Sequence, residues 1–191
     1  MIPTEDNYVD WILLGVKEYF RRIDYKVRTY SIGQVKEKQC PVDRILAVGN
    51  KIIGLQFKRP VSKERPWRYE RTPHQHEMIS HSRWIFYCFP DFIDLRLQEV
   101  ALYHCKFVNA AESKTSSISG EQYYYRWGAF ADALISCLEG LEIGENTSIE
   151  QLIADMVKNP HDTYLSLNKR YEEAYIMRNI APPVEMEREP A

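Results

Sequence analysis

The chain has 191 residues, 45% of them hydrophobic and 27% charged, with a formal net charge of −2. That is enough to bury one core, and the balance is that of a globular domain rather than a disordered or membrane-spanning one. The mild acidity counts against a tight, non-specific DNA coat protein acting through its overall field, but leaves room for basic groups confined to one cleft. Four scattered cysteines (Cys40, Cys88, Cys105 and Cys137) form no Cys-x-x-Cys pair, so reduced thiols are expected rather than zinc or redox chemistry. No apolar run reaches the roughly 18 residues a bilayer span needs. The opening residues lack the basic and apolar regions of a signal peptide. A soluble, cytoplasmic protein without a membrane partner is expected.

Tyr8, Ile12, Val16, Tyr19 and Ile23 recur at helical spacing, predicting an amphipathic helix over about Asn7–Arg22 with Glu18 beside its apolar face. Tyr25–Ile32 alternates and reads as a first strand. Two apolar β-runs follow, Val42–Val48 and Lys51–Phe57, joined by Gly49-Asn50, a strong hairpin signal because glycine supplies the positive φ of a primed turn. Arg59–Arg71 reads as a loop in which Arg59, Lys63, Arg65, Arg68 and Arg71 are interleaved with Trp67 and Tyr69. Thr72-Pro73-His74-Gln75 predicts a capped helix start running to about His81. The apolar Trp84–Phe89 suits a buried strand, and strand–helix–strand implies a parallel crossover. Val100–Val108 reads as another strand.

Ala111–Gly120 is a predicted mobile loop. Ser119 and Gln122 form a capping box ahead of a helix with Trp127, Phe130, Leu134 and Leu138 on one face. Ser148–Lys158 reads as a helix stopped by Asn159-Pro160, and Asp162 as the cap of a last one through about Arg178. The Pro- and Glu-rich tail from Ala181 is predicted disordered. The order predicts an α/β core over 1–110, a helical part over 111–180 packed on it within the same domain, and a tail over 181–191.

The hairpin register decides the chemistry. If the turn is symmetric about Gly49-Asn50, Val48 faces Lys51 and Asp43 falls opposite Gln56, with opposed Cβ atoms about 4.5–5.5 Å apart. Lys58 shares the face of Gln56, and Phe57 points the other way. A loop one residue longer would send Asp43 to the wrong face. A carboxylate, an amide and an ammonium therefore converge at one end of one face. The plain alternative is a solvated strand end on which Asp43 and Lys58 form a weak diagonal ion pair.

A helix bearing Glu18, a strand bearing Pro41-Val42-Asp43, a turn, and a strand ending in Gln56-Phe57-Lys58, followed by helix and strand, resembles the PD-(D/E)xK nuclease superfamily. The resemblance covers roughly Asn7–Phe89. Gln56 stands where that family usually has an acid; some of its branches, including certain transposon end-cleaving nucleases, carry Gln-x-Lys and are active. It implies a restriction-endonuclease-like mixed central sheet flanked by helices, and a Mg²⁺-dependent DNA endonuclease of mobile-element, repair or defence systems, with Mn²⁺ as a substitute. Asp43, Gln56 and Glu18 would hold the metal, and Lys58 would orient or deprotonate the attacking water.

Arg59, Lys63, Arg65, Arg68, Arg71, His74 and Gln75 are the candidate nucleic-acid contacts; solvation of an exposed loop explains the cations of Arg59–Arg71 equally well. His76-Glu77 opens a zincin pattern, but Ser80 stands where the second histidine belongs and His81 comes one residue late, so no zinc site is expected. Tyr123–Trp127 reads as core and interface. The alternative function is a nuclease-fold subunit without catalysis that binds nucleic acid or protein. A homodimer or a partner protein is compatible with either reading.

Overall fold

A computed structural model describes residues 2–31, 42–70, 72–113, 123–136, 138–144 and 147–180, with side chains through 174. Its architecture is α/β: a six-stranded mixed sheet with helices on both faces, the last two supplied by the C-terminal region. Strands β1 (Val27–Ser31), β2 (Arg44–Val48), β3 (Lys51–Phe57), β4 (Ile85–Pro90) and β5 (Cys105–Asn109) lie in the order of the chain. All adjacent pairs are antiparallel except β3 and β4, which are parallel. A two-residue strand, β6 (Leu141–Glu142), pairs with the start of β3 beyond the reach of β4. β3 is thus central, and all seven of its residues are buried.

One face of the sheet carries Leu46, Val48, Ile53, Leu55, Phe57, Phe86 and Cys88. Against it pack α1 (Glu5–Arg22), through Tyr8, Val9, Ile12, Leu13, Val16 and Phe20, and α3 (Trp127–Ile135), through Trp127, Phe130 and Leu134. The Thr4 hydroxyl caps α1 by accepting from the Asn7 amide. Glu5 and Asp6 in its first turn and Arg21 and Arg22 in its last complement the helix dipole. The other face carries Ile45, Ala47, Ile52, Ile85, Tyr87 and Phe89. It is covered by α2 (Pro73–Ile79), α4 (Ile149–Lys158) and α5 (Pro160–Ile180), through Ile79, Leu152, Met156, Tyr164 and Leu167. Arg28 of β1 pairs with Glu150 of α4.

Several expectations change. Leu95–His104 is a 3₁₀ segment, with Ala101 and Leu102 buried, so the strand read from Val100 begins only at Cys105. Thr72 makes no side-chain cap, so the Thr72–Gln75 capping box does not form. Leu138 lies past the end of α3 and is 72% exposed, not on its buried stripe. α5 begins at Pro160, a residue suited to the first helical position, which leaves Asp162 inside the first turn rather than at the cap. Ser119, Gln122, most of the predicted mobile loop, the tail, Cys40 and Cys137 lie outside the described residues; Cys88 and Cys105 are buried free thiols. No helix among the described residues is long and apolar enough to cross a membrane.

Candidate functional site

The β2–β3 hairpin has the two-residue turn its sequence predicts. Gly49 takes φ of +60°, a conformation an L side chain adopts only under strain. Val48 pairs with Lys51 and Arg44 with Leu55, where the regular ladder ends one residue short of Asp43. The Asp43 amide donates to the Leu55 carbonyl at 3.0 Å, so Asp43 as well as Arg44 lies against Leu55 rather than on a regular rung opposite Gln56. Its carboxylate then bends back toward β3, where Oδ2 accepts from the Gln56 amide nitrogen at 2.8 Å and from the Phe57 backbone amide at 2.6 Å. Both bonds are charge-assisted and buried, the strong kind.

That contact fixes which way the Gln56 amide points, because the flipped amide would set an oxygen against the carboxylate. The consequence is that Gln56 Oε1 is buried and has no hydrogen-bond partner among the described residues. A buried carbonyl without a donor costs about 1–3 kcal/mol, and one held beside a carboxylate is suited to accept a cation. Gln56 is 1% exposed and Asp43 8%, so the pair is closely walled. The Asp43 charge also reaches the neighbouring Cys88 thiol, which burial, the Cys105 thiol and that charge together push up.

Lys58 follows Phe57, the last residue of β3. Its amide donates to the Cys88 carbonyl at 3.1 Å, and it is half-buried with no partner for its ammonium among the described residues. Glu18 does not join this group. The Tyr8 hydroxyl, near the start of α1, senses the charge of Arg59 just past β3, whereas Tyr25, just past the end of α1, lies against the Gly49 turn. The helix therefore runs from the open end of the hairpin to its turn. Glu18, ten residues on from Tyr8, is about 15 Å further along it. It is also exposed, on the layer that covers Phe57 rather than Gln56. Among the described residues no group of three or more His, Cys, Asp or Glu side chains converges to hold a metal.

A neighbour that the sequence did not single out lies across β3. Tyr87 of β4 pairs with Gln56 on the same face, and its hydroxyl is 2.9 Å from His76 Nδ1 of α2. Alternation within Trp84–Phe89 was the available signal, but an all-apolar run gives no register for a parallel pair. His74 is exposed and Gln75 half-buried, both in the first turn of α2. Arg71 lies outside the described residues.

The basic loop has a defined shape. Pro60 bridges Tyr69, Val61 donates to the Arg68 carbonyl at 2.8 Å, and the Tyr69 hydroxyl donates to the Pro90 carbonyl at 2.6 Å. Burial, and the nearby Asp91 charge after it, hold the Tyr69 phenol protonated. Between these anchors Ser62, Lys63, Glu64, Arg65, Pro66 and Arg68 line an open concavity of about 580 Å³. The Arg65 guanidinium lies over the Trp67 ring, 5.8 Å from its centroid. Arg59, Lys63, Arg65 and Arg68 are all exposed. Ser62 is four positions on from Lys58, so the concavity begins within about 14 Å of Lys58 along the chain.

No family model, no curated protein and no solved structure matches this chain. The site rests on its own geometry.

That geometry unites Asp43 with Gln56; Lys58 comes two residues later in the chain, and the cationic loop follows it. Asp43 and Gln56 offer one carboxylate oxygen and one neutral carbonyl oxygen, donor types that a hard cation takes.

Proposed function

We propose that this protein is a metal-dependent nuclease that hydrolyses phosphodiester bonds, a DNA endonuclease of the restriction-endonuclease-like class in its Gln-x-Lys form. The observation that carries the reading is the buried Gln56 Oε1, which has no donor among the described residues and is held by the amide's bond to Asp43. Support also comes from the run helix, three strands, helix, strand, with β3 parallel to β4, which realises the element order of the resemblance.

Asp43 and Gln56 would hold Mg²⁺ or Mn²⁺, which when bound supplies charge neutralisation at the phosphate and a more acidic water. Lys58, two residues on from Gln56, orients the attacking water and offsets the negative charge that develops on the phosphate oxygens. Arg65, Arg68 and Lys63 hold flanking phosphates, which positions the backbone without reading sequence. The Phe57 amide and the Gln56 amide fix the Asp43 carboxylate, so no reorganisation is needed when substrate arrives.

The near-complete burial of Asp43 and Gln56 favours a second reading, a nuclease-fold subunit that binds without cutting. Cleavage of supercoiled plasmid in Mg²⁺ or Mn²⁺ separates the two. Wild type is expected to nick or linearise it, and Asp43→Asn and Lys58→Ala each to lose about 100-fold or more in rate, on the scale of removing one charge-stabilising group. Wild type that cuts no faster than both variants rejects catalysis.

A further inference from the structure

The inner face of α1 packs the core, and its outer face carries a pattern that the fold does not use. Asp6, Asp10, Leu14, Lys17 and Arg21 are all exposed. At about 100° per residue they fall within about 80° of one another around the helix axis, opposite the buried residues. The stripe is acidic in its first half and basic in its second, with Leu14, 60% exposed, at its centre. Asp6 and Asp10 stand four residues apart, as do Lys17 and Arg21, and like charges at that spacing repel on one helix. The helix dipole accounts for Asp6 and Arg21 in the terminal turns, but its effect fades before Asp10 and Lys17. Among the described residues no ion pair takes up any of the four. Beside the stripe, a Cβ on Gly15 would lie 2.9 Å from Leu102 Cβ, so the 3₁₀ segment Leu95–His104 packs directly against α1. Tyr103, next to Leu102, is 54% exposed and adds apolar surface on that neighbouring element.

We infer that α1 is the interface of a homodimer, in which a second copy of this chain lays its own α1 antiparallel across the stripe. The residue positions fix the arrangement. A two-fold axis between Leu13 and Leu14 sets Asp6 against the partner's Arg21 and Asp10 against the partner's Lys17, because both pairs share that midpoint. Symmetry repeats each pair, and the two Leu14 side chains meet within about 1 Å of the axis along the helix. A parallel copy would instead set aspartate against aspartate and cation against cation. Charge and apolar surface therefore fit a copy of this chain in one orientation. An α1 face about 27 Å long and about 10 Å wide falls short of the roughly 800 Å² that each partner gives to a stable interface. The dimer is accordingly weak and concentration-dependent. It goes beyond the nuclease reading and stands whether or not the protein cuts.

The test is analytical ultracentrifugation of the full chain from low-micromolar to submillimolar protein at low salt, with far-UV circular dichroism to check that each variant folds. Wild type is expected to pass from monomer to dimer over that range, and Leu14→Arg to stay monomeric throughout. Asp10→Lys and Lys17→Asp should each weaken the dimer about tenfold, since each sets like charges together twice. The double variant Asp10→Lys/Lys17→Asp should recover wild-type affinity, a rescue that damage to the fold cannot mimic. High salt should weaken the wild type and the double variant alike. A wild type that is monomeric at every concentration, a dimer that Leu14→Arg leaves intact, or a double variant no tighter than the two single ones would each overturn the inference.

Discussion

Replacing Gln56 by Glu probes the site while preserving its shape. In the wild type the amide donates to Asp43 Oδ2 at 2.8 Å; the introduced carboxylate meets Asp43 at that separation with nothing to donate. Two charges so close repel by about 6 kcal/mol even at an effective dielectric of about 20. Keeping a proton on a glutamate, ordinary pKa about 4.3, costs only about 3–4 kcal/mol near pH 7 and about 1 kcal/mol near pH 5. Retaining the proton is the cheaper state, so the introduced carboxyl has a raised pKa in the folded chain. The folded state then binds more protons than the unfolded one, and stability falls as pH rises. Urea unfolding in chelator should show a loss of about 3–4 kcal/mol near pH 7, shrinking to about 1 kcal/mol near pH 5. Mn²⁺ replaces that proton, and at about a hundred times its Kd it restores about 2.7 kcal/mol. A variant as stable as wild type at both pH values in chelator would refute the reasoning, because Asp43 and Gln56 would then not be in contact.

Asp43→Ala strands the Phe57 amide and the Gln56 amide in a buried place and should cost about 3 kcal/mol in urea unfolding. Asp43→Asn keeps an acceptor for the Phe57 amide, so it should lose roughly half as much yet show no stabilisation by Mn²⁺. Gly54→Ala places a methyl group 3.0 Å from Ile85 Cγ1 and 3.1 Å from both Val42 methyls, and this overpacking should lower stability by about 1–3 kcal/mol; an unchanged thermal melt would mean that Val42 does not cover Gly54. Burial pushes the Glu139 carboxyl up, against the opposing bond from the Tyr125 hydroxyl. The wild type therefore loses stability as pH rises above the ordinary glutamate range, about 4.3. Glu139→Gln keeps an acceptor for Tyr125 and should gain on wild type over that rise, measured as a widening difference in urea midpoint.

The hairpin was legible because a Gly-Asn pair sets a two-residue turn, which fixes the register from Val48 and Lys51 out to Arg44 and Leu55; Asp43 meets Gln56 through its side chain, past the end of that ladder. The amphipathic face of α1 was legible too, since Ile12, Val16 and Phe20 recur at helical spacing. Periodicity does not say which end of a helix meets which end of a sheet, and this is where Glu18 went astray. Apolar content likewise fails to separate a strand from a 3₁₀ segment at Val100–His104, although Asp94, which accepts from the Arg96 amide, marks a helical start. β6 is too short for any pattern; it exists because β3 leaves an open edge at Lys51 and Ile52. Tyr87 and His76 meet through a parallel pairing whose register no turn encodes. Tyr123–Trp127 read as core and interface: Tyr125 and Trp127 face inward, while Tyr123 and Tyr124 stand at the surface.

The most direct measurement is anomalous diffraction from crystals soaked in Mn²⁺. A Mn²⁺ peak within roughly 2.0–2.6 Å of Gln56 Oε1 and of an Asp43 carboxylate oxygen is expected. Mn²⁺ bound only elsewhere, or absent while the Gln56 carbonyl still lacks a partner, would contradict the assignment of this hairpin as a metal site.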